Sequence, residues 1–251
     1  MLDAVVLAGS SNDGPLRECS GVRYEALIPI GEKIMVQYVV EALLGCRQIR
    51  RVVVVGPVAE LSPFFNGERV SVIETRGGIM ENIEAGLKSV LEAGRVLLVT
   101  SDIPMLTTQA VNDFLELCGD MSGDLYYPII SKQVVENKFP TTRRTYVNLK
   151  EGVFTGGNLF LINPAVFKQC VENGQKIISL RKSPVGLCRL IGLGFVLKFL
   201  MRSLTIAEAE QKVSQLLGRI KGIVVMSKYP EVGVDVDKPA DLTLALKTLG
   251  A

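Results

Sequence analysis

The chain contains no histidine. That removes imidazole from every mechanism: there is no His-based triad and no imidazole general base. The five cysteines, Cys19, Cys46, Cys118, Cys170 and Cys188, are scattered, odd in number and form no Cys-x-x-Cys pair, so a structural zinc site lacks a ligand set. The same scatter points to reduced thiols in a cytoplasm rather than a disulfide framework. No long basic run occurs, and 28 Lys+Arg against 26 Asp+Glu leave a formal charge of +2. That argues against nucleic acid as a partner and keeps small charged substrates open. The N-terminus enters a strand-like Asp3–Ala8 directly, without the basic region and apolar core of a signal peptide. A membrane span needs about 20 apolar residues. The most apolar stretch, Val185 to Met201, is interrupted by Arg189 and Lys198 and weakened by Gly192 and Gly194, so a buried or partner-contacting helix is expected instead. The chemistry left to the chain uses carboxylates, Lys, Arg, a thiol, or a metal held by oxygen.

What is present is a core-forming composition, 48% hydrophobic over 251 residues, read as one domain spanning 1–251. Short apolar runs without alternation recur at Val5–Leu7, Arg51–Gly56, Val70–Glu74, Val96–Val99, Leu125–Ile130, Leu159–Ile162 and Gly222–Met226. Each suits a strand covered on both faces. Helical spacing lies between them, over about Met35–Leu44, Met80–Leu91 and Thr107–Cys118, with a last helix ending near Leu249. The alternation predicts a three-layer α/β/α fold with a mostly parallel sheet. Residues 165–217 read as a helical insertion, with Thr205–Glu208 as a capping box. Residues 131–150, polar and without period, read as a loop or hairpin beside the site.

Ligands in such sheets bind beyond the C-terminal strand ends. The stretch Val96–Val99 runs into Thr100, Ser101 and Asp102 before Pro104 stops it, so Asp102 is the leading reactive candidate; a helix cap or turn aspartate is the alternative. The loop Ala8–Pro15 is built of small and turn-forming residues that let backbone N–H groups approach a phosphate. Arg17 and Arg23 follow as phosphate ligands or solvated surface groups. Gly78 opens a helix whose first turn holds Asn82, and Gly156–Gly157 before Asn158 allow close approach of a ligand or another backbone. Asp235 and Asp237 alternate with valines and would share one face of a strand; Asp237 is also a good N-cap. If the strand ends carrying Asp102 and Asp237 are neighbours, two carboxylates can share Mg²⁺.

Four segments carry a resemblance. Leu7-Ala8-Gly9 resembles the opening of the nucleotidyltransferase signature, and Ala26–Met35 its continuation. Ser101-Asp102-Ile-Pro104 resembles the metal-binding aspartate, and Asp235–Leu242 the C-terminal Asp-Val-Asp block. The chain is similar to MobA-like nucleotidyltransferases of GT-A-type Rossmann-like fold over most of 1–162 and 222–249. The resemblance implies transfer of a nucleotidyl group from an NTP to a phosphorylated or similar small-molecule acceptor, with release of pyrophosphate. It implies Mg²⁺ on Asp102 and Asp237, with Asp235 as the alternative ligand, and nucleotide contacts from Leu7, Ala8, Gly9, Ser10, Gly78, Asn82 and Ser101. Acceptor contacts fall to Gly156, Gly157 and Asn158, and catalytic charge to Arg17 and Lys33. The sequence departs from the pattern where Ser10 replaces the second signature glycine and Glu25 stands at the usual lysine. A catalytically weak nucleotide-binding protein and a GT-A glycosyltransferase are the competing readings. The acceptor, the base and a homo-oligomeric state are left open.

Overall fold

The structure is a computed structural model that describes residues 1–90, 94–167, 170–171 and 190–250. In chain order the strands are β1 (Leu2–Leu7), β2 (Pro29–Ile30), β3 (Lys33–Ile34), β4 (Ile49–Gly56), β5 (Val70–Glu74), β6 (Val96–Thr100), β7 (Leu125–Ser131), β8 (Val147–Leu149), β9 (Gly152–Gly156), β10 (Leu159–Ile162) and β11 (Gly222–Met226). The α-helices are α1 (Met35–Gly45), α2 (Val58–Leu61), α3 (Ile79–Ser89), α4 (Thr108–Leu117), α5 (Lys132–Lys138), α6 (Leu193–Leu200), α7 (Ile206–Leu216) and α8 (Pro239–Leu249). Nine strands form the main sheet in the order β5-β4-β1-β6-β10-β7-β9-β8, with β11 beside β7. β9 and β10 run against the other strands, which share one direction. The sheet is thus mixed but mostly parallel, within an α/β fold.

The non-alternating apolar strands are buried on both faces, and their residues divide between two cores. Ala4 and Val6 of β1, Val52 and Val54 of β4, and Leu97 and Val99 of β6 join one core with α1, α4 and α8. The intervening Val5, Val53, Val55, Val96 and Leu98 join the other, under α3. Gly86 of α3 allows this contact: a Cβ there would lie 2.4 Å from Val5 Cγ1. At the N-terminal edge of the sheet, fully buried Asp3 is held by Arg50 Nε and Nη2 at 2.9 and 2.8 Å and by Arg51 Nε at 3.1 Å. The other edge is left to the site.

Two local expectations are adjusted. Residues 131–150 end in β8, which forms the hairpin with β9, but they also hold α5, opened by the Ser131 hydroxyl accepting from the Val134 N–H at 3.3 Å. The segment carrying Asp235 and Asp237 is not a strand, although Val234 and Val236 are fully buried and keep the alternation. The capping box at Thr205 is present: its hydroxyl accepts from the Glu208 N–H, and Glu208 accepts from the Thr205 N–H, at 3.2 and 3.1 Å. Among the described residues no helix is long and apolar enough to cross a membrane. Much of the expected helical insertion, residues 172–189, lies outside the described residues, as does Cys188.

Candidate active site

The strand order brings the C-terminal ends of β1, β5 and β6 to one edge. Leu7 pairs with Thr100, and the Ser101 N–H donates to the Leu7 carbonyl at 3.1 Å, so the loop after β1 starts beside Asp102. Fully buried Asn12 braces that loop, its Nδ2 donating to the carbonyls of Ser20 and Val22 at 2.8 and 3.0 Å. Its near side is packed too tightly for a side chain: a Cβ on Gly9 would sit 2.3 Å from Thr75 Oγ1. Gly77, at φ +59°, turns the chain from β5 into α3. Asn82 Oδ1 accepts from the Arg76 N–H at 2.6 Å and from the Thr75 hydroxyl at 3.1 Å. These bonds settle which way the amide faces and leave Nδ2 on the Gly9 side, 3.4 Å from the place of a Gly9 Cβ.

Gly157 and Asn158 reach the same edge. The Gly157 N–H donates to the Pro128 carbonyl at 2.9 Å, the Asn158 N–H to Val232 at 2.7 Å, and the Thr100 N–H to Asn158 at 3.1 Å. Gly157 has no room for a side chain, since a Cβ would lie 2.7 Å from Pro128 Cγ and 3.0 Å from the Val232 carbonyl. Asn158 is thereby fixed against the strand that carries Asp102, with its Nδ2 buried and without a hydrogen-bond partner.

Asp102, Asp235 and Asp237 converge. The Val236 N–H donates to the Asp102 carbonyl at 2.8 Å, and one carboxylate oxygen from each aspartate lies within 4.8 Å of the others. Neither Asp102 nor Asp237 is spent as a cap. Thr107 caps α4, accepting from the Ala110 N–H at 3.2 Å, and Asp241 accepts from the Lys238 N–H at 3.1 Å to open α8. Burial pushes the Asp102 carboxyl up to about 7 against a bond from the Thr100 hydroxyl, with Asp235 and Asp237 adding to the rise. Burial and then Asp235 push Asp237 up to about 6; Arg144 opposes this, and Glu25 adds to it.

An unrelieved cluster of carboxylates is costly unless a cation is shared. Three hard oxygen donors, with no Cys ligand grouped with them among the described residues, suit Mg²⁺, which keeps waters and phosphate oxygens in its remaining positions. The donor set fits that ion.

Arg144 was not picked out from the sequence. Its guanidinium pairs with the Asp235 carboxylate, its Nη1 also donates to the Asp235 carbonyl at 3.3 Å, and its Nε is buried without a partner. The stretch around it has no period, so only its place before a hairpin strand offered a signal. Two of the cations the sequence suggested have exposed carboxylate partners of their own. Lys33 Nζ lies 2.6 Å from Glu41, and exposed Arg17 lies 3.7 Å from Asp13. Neither is among the groups acting most strongly on the aspartates. Glu25 is, through its effect on Asp237.

Comparison with solved structures finds the same architecture in CMP:2-keto-3-deoxy-manno-octonic acid synthetase complexed with CTP, at TM-score 0.62 and 15% identity, over 100% of this chain and 99% of that one. It recurs in 4-diphosphocytidyl-2C-methyl-D-erythritol synthase from Anaerococcus prevotii, at TM-score 0.60 and 9% identity, over 100% and 96%. At those identities the likeness is one of fold, and the fold is that of nucleotidyltransferases. A hypothetical transferase from Thermus thermophilus is nearer, at TM-score 0.85 and 39% identity over 96% of this chain and 99% of that one. The family model for the MobA-like NTP transferase domain matches residues 4–178, and the chain belongs to that family. No curated protein matches it.

Proposed function

We propose that the protein is a Mg²⁺-dependent nucleotidyltransferase that moves a nucleotidyl group from an NTP to a phosphorylated or similar small-molecule acceptor and releases pyrophosphate. The observation that carries this reading is the meeting of Asp102, Asp235 and Asp237 at one edge of the sheet, beside the loop that begins at Ala8. The family match ends at residue 178, before two of these aspartates, so their role rests on geometry.

In the proposed reaction an acceptor oxygen forms a bond to the α-phosphorus. The bond from that phosphorus to the β-phosphate oxygen breaks, and its electron pair leaves with pyrophosphate. Such transfers depend on alignment and charge neutralisation more than on covalent help from the protein. Asp102 and Asp237 would hold the ion, with Asp235 able to join them; bound there, Mg²⁺ would neutralise phosphate charge. The backbone of Ala8, Gly9 and Ser10 lines the triphosphate, and Gly9 lets the loop pack closely against Thr75. Asn82 offers Nδ2 toward the nucleotide because Oδ1 is already bound. Asn158, with its free Nδ2, faces the acceptor. Arg144 takes the part of the lysine that Glu25 replaces, its guanidinium passing from Asp235 to phosphate oxygens as substrate arrives. The reduced cysteines suit a cytoplasmic setting.

The test is NTP turnover with Mg²⁺ in wild type and Asp102→Asn across an acceptor panel. Equal rates would refute the metal-ligand role. Glu25 favours a second reading, nucleotide binding without catalysis, because its charge repels a triphosphate. Calorimetric NTP binding with no pyrophosphate from any acceptor would select it.

A further inference from the structure

Beyond β10 the sheet face that carries the second core changes character. Leu125, Tyr127 and Ile129 of β7, Phe154 of β9 and Val224 of β11 face a cavity of about 730 Å³, bounded opposite by α6 and α7. The described lining is hydrocarbon except for Thr155, the Tyr127 hydroxyl and Glu210, and Glu210 Oε1 already accepts from the Val224 N–H at 2.6 Å. The volume is that of a small-ligand site, yet nothing in the described lining offers free charge to bind a nucleotide or a sugar. The sheet from Leu125 to Ile129 runs roughly 13 Å at ~3.3 Å per residue, the length of a medium alkyl chain.

Two observations indicate what occupies it. The cavity shares a wall with the acceptor segment: Gly156 lines it and leads along the chain into Gly157 and Asn158, and Asn158 is bonded to Thr100 beside Asp102. At this end the Tyr127 hydroxyl takes the space of a Gly156 side chain, 1.5 Å from where its Cβ would be, while its ring stacks on Phe160 at 5.4 Å. A polar group therefore sits at the Gly156 end of an otherwise hydrocarbon cavity. On the outer side, α6 buries none of its residues although most are apolar. Leu193 and Met201 are each 75% exposed, with Arg202 beside Met201, while Lys198 is paired with Glu208. An apolar surface with a cation at its end suits contact with an anionic amphiphile.

Resting on the nucleotidyl-transfer reading, we propose that this cavity receives the hydrocarbon tail of an amphiphilic acceptor, whose phosphate head passes Gly156 to reach the aspartates. The reaction is unchanged: a head-group oxygen bonds to the α-phosphorus and pyrophosphate leaves.

The experiment is calorimetry on the full chain with methyl, butyl, octyl and dodecyl phosphate. Wild-type affinity is expected to rise about 4-fold for each methylene added up to octyl, the factor for a fully buried CH₂. Ala209→Trp on α7 and Val196→Trp on α6 fill the cavity from separate helices. Each should flatten the series while leaving folding, NTP binding and methyl phosphate affinity intact. A flat wild-type series overturns the tail site, and so does a steep one that survives both substitutions. NTP binding and transfer to a short acceptor with a flat series remove the tail site alone. A chain that no NTP stabilises removes the parent reading and this one with it. Sedimentation with phosphatidic acid vesicles separates a bilayer-borne acceptor, which carries the protein down, from a monomeric one, which leaves it in solution. With a steep alkyl series, either result supports the tail site. A dimer that Leu197→Glu abolishes, together with a flat series, would assign α6 to a second copy and overturn it.

Discussion

The backbone N–H of Val236 is bonded to the carbonyl of Asp102 at 2.8 Å. Because no side chain takes part, substituting either neighbouring aspartate leaves the two loops in register. Asp102→Asn should therefore fold as wild type does and lose about 100-fold or more in NTP turnover, with NTP affinity in the absence of metal little changed. Steady-state kinetics beside a circular dichroism melt check this. Loss of turnover through unfolding would discredit the argument.

The raised carboxyl of Asp102 gives the metal-free protein a distinctive pH response. At low pH the folded and unfolded chains both hold the proton. From the ordinary value of 3.8 up to about 7, the unfolded chain releases it while the folded chain keeps it. Stability should therefore fall as pH rises through that window and level off above it. In Asp102→Asn this contribution disappears, so the variant should melt higher than wild type at about pH 8, the gap closing toward pH 4. Mg²⁺ binding needs the ionised cluster, so its affinity should rise through about 6 and 7, where Asp237 and Asp102 titrate.

Removing Arg144 takes away the charge that restrains Asp237. Arg144→Gln should shift that carboxyl further up, seen by carbon-detected NMR titration. It should also weaken NTP binding by about 10-fold or more through loss of a charge-assisted contact. Arg144→Lys should recover part of the binding, since charge returns without the planar fork. Unchanged NTP affinity in the glutamine variant would leave Arg144 a purely structural partner of Asp235.

Gly9→Ala places a methyl 2.3 Å from Thr75 Oγ1 and 3.0 Å from Thr75 Cβ. The loop must shift, and NTP affinity should drop by about 10-fold or more, on the scale of a near-site displacement. Pairing it with Thr75→Ala removes the nearer atom and leaves the Cβ contact, so rescue should be partial. No initial loss would mean that the loop does not line the triphosphate.

Glu25→Lys reverses the sign of a group that pushes Asp237 up. Turnover should rise by about 10-fold, corresponding to roughly 1.4 kcal/mol of transition-state charge stabilisation, and the Asp237 carboxyl should fall. A variant that binds NTP more tightly yet releases no pyrophosphate would instead favour nucleotide binding without catalysis.

Why some of this was legible and some not follows from the range of the forces involved. Strands such as Val52–Val55 and Leu97–Val99 are apolar on both faces, and that pattern reports burial without reference to any partner. The loop after Leu7 and the aspartate at the end of β6 were readable for the same local reason: turn-forming residues and a stop at Pro104. The partnership of Asp102 with residues 235–237 depends on strand order, so the strand-end reading could offer it only as a condition, and the resemblance supplied the rest. Arg144 was invisible because an ion pair to Asp235 leaves no periodic trace in sequence. Lys33 and Arg17 drew notice through charge and position, but Glu41 on the first helical turns and Asp13 within the loop were near enough to bind them. Glu210, which satisfies the β11 edge, was likewise a matter of tertiary placement.

Asp235 and Asp237 lie immediately before α8, whereas Asp102 follows β6 and the loop beginning at Ala8 follows β1, far upstream in the chain. Contacts that span so much chain close only after the intervening strands have paired. The acid cluster is therefore expected to form late in folding, and its assembly reports that the whole sheet is in register.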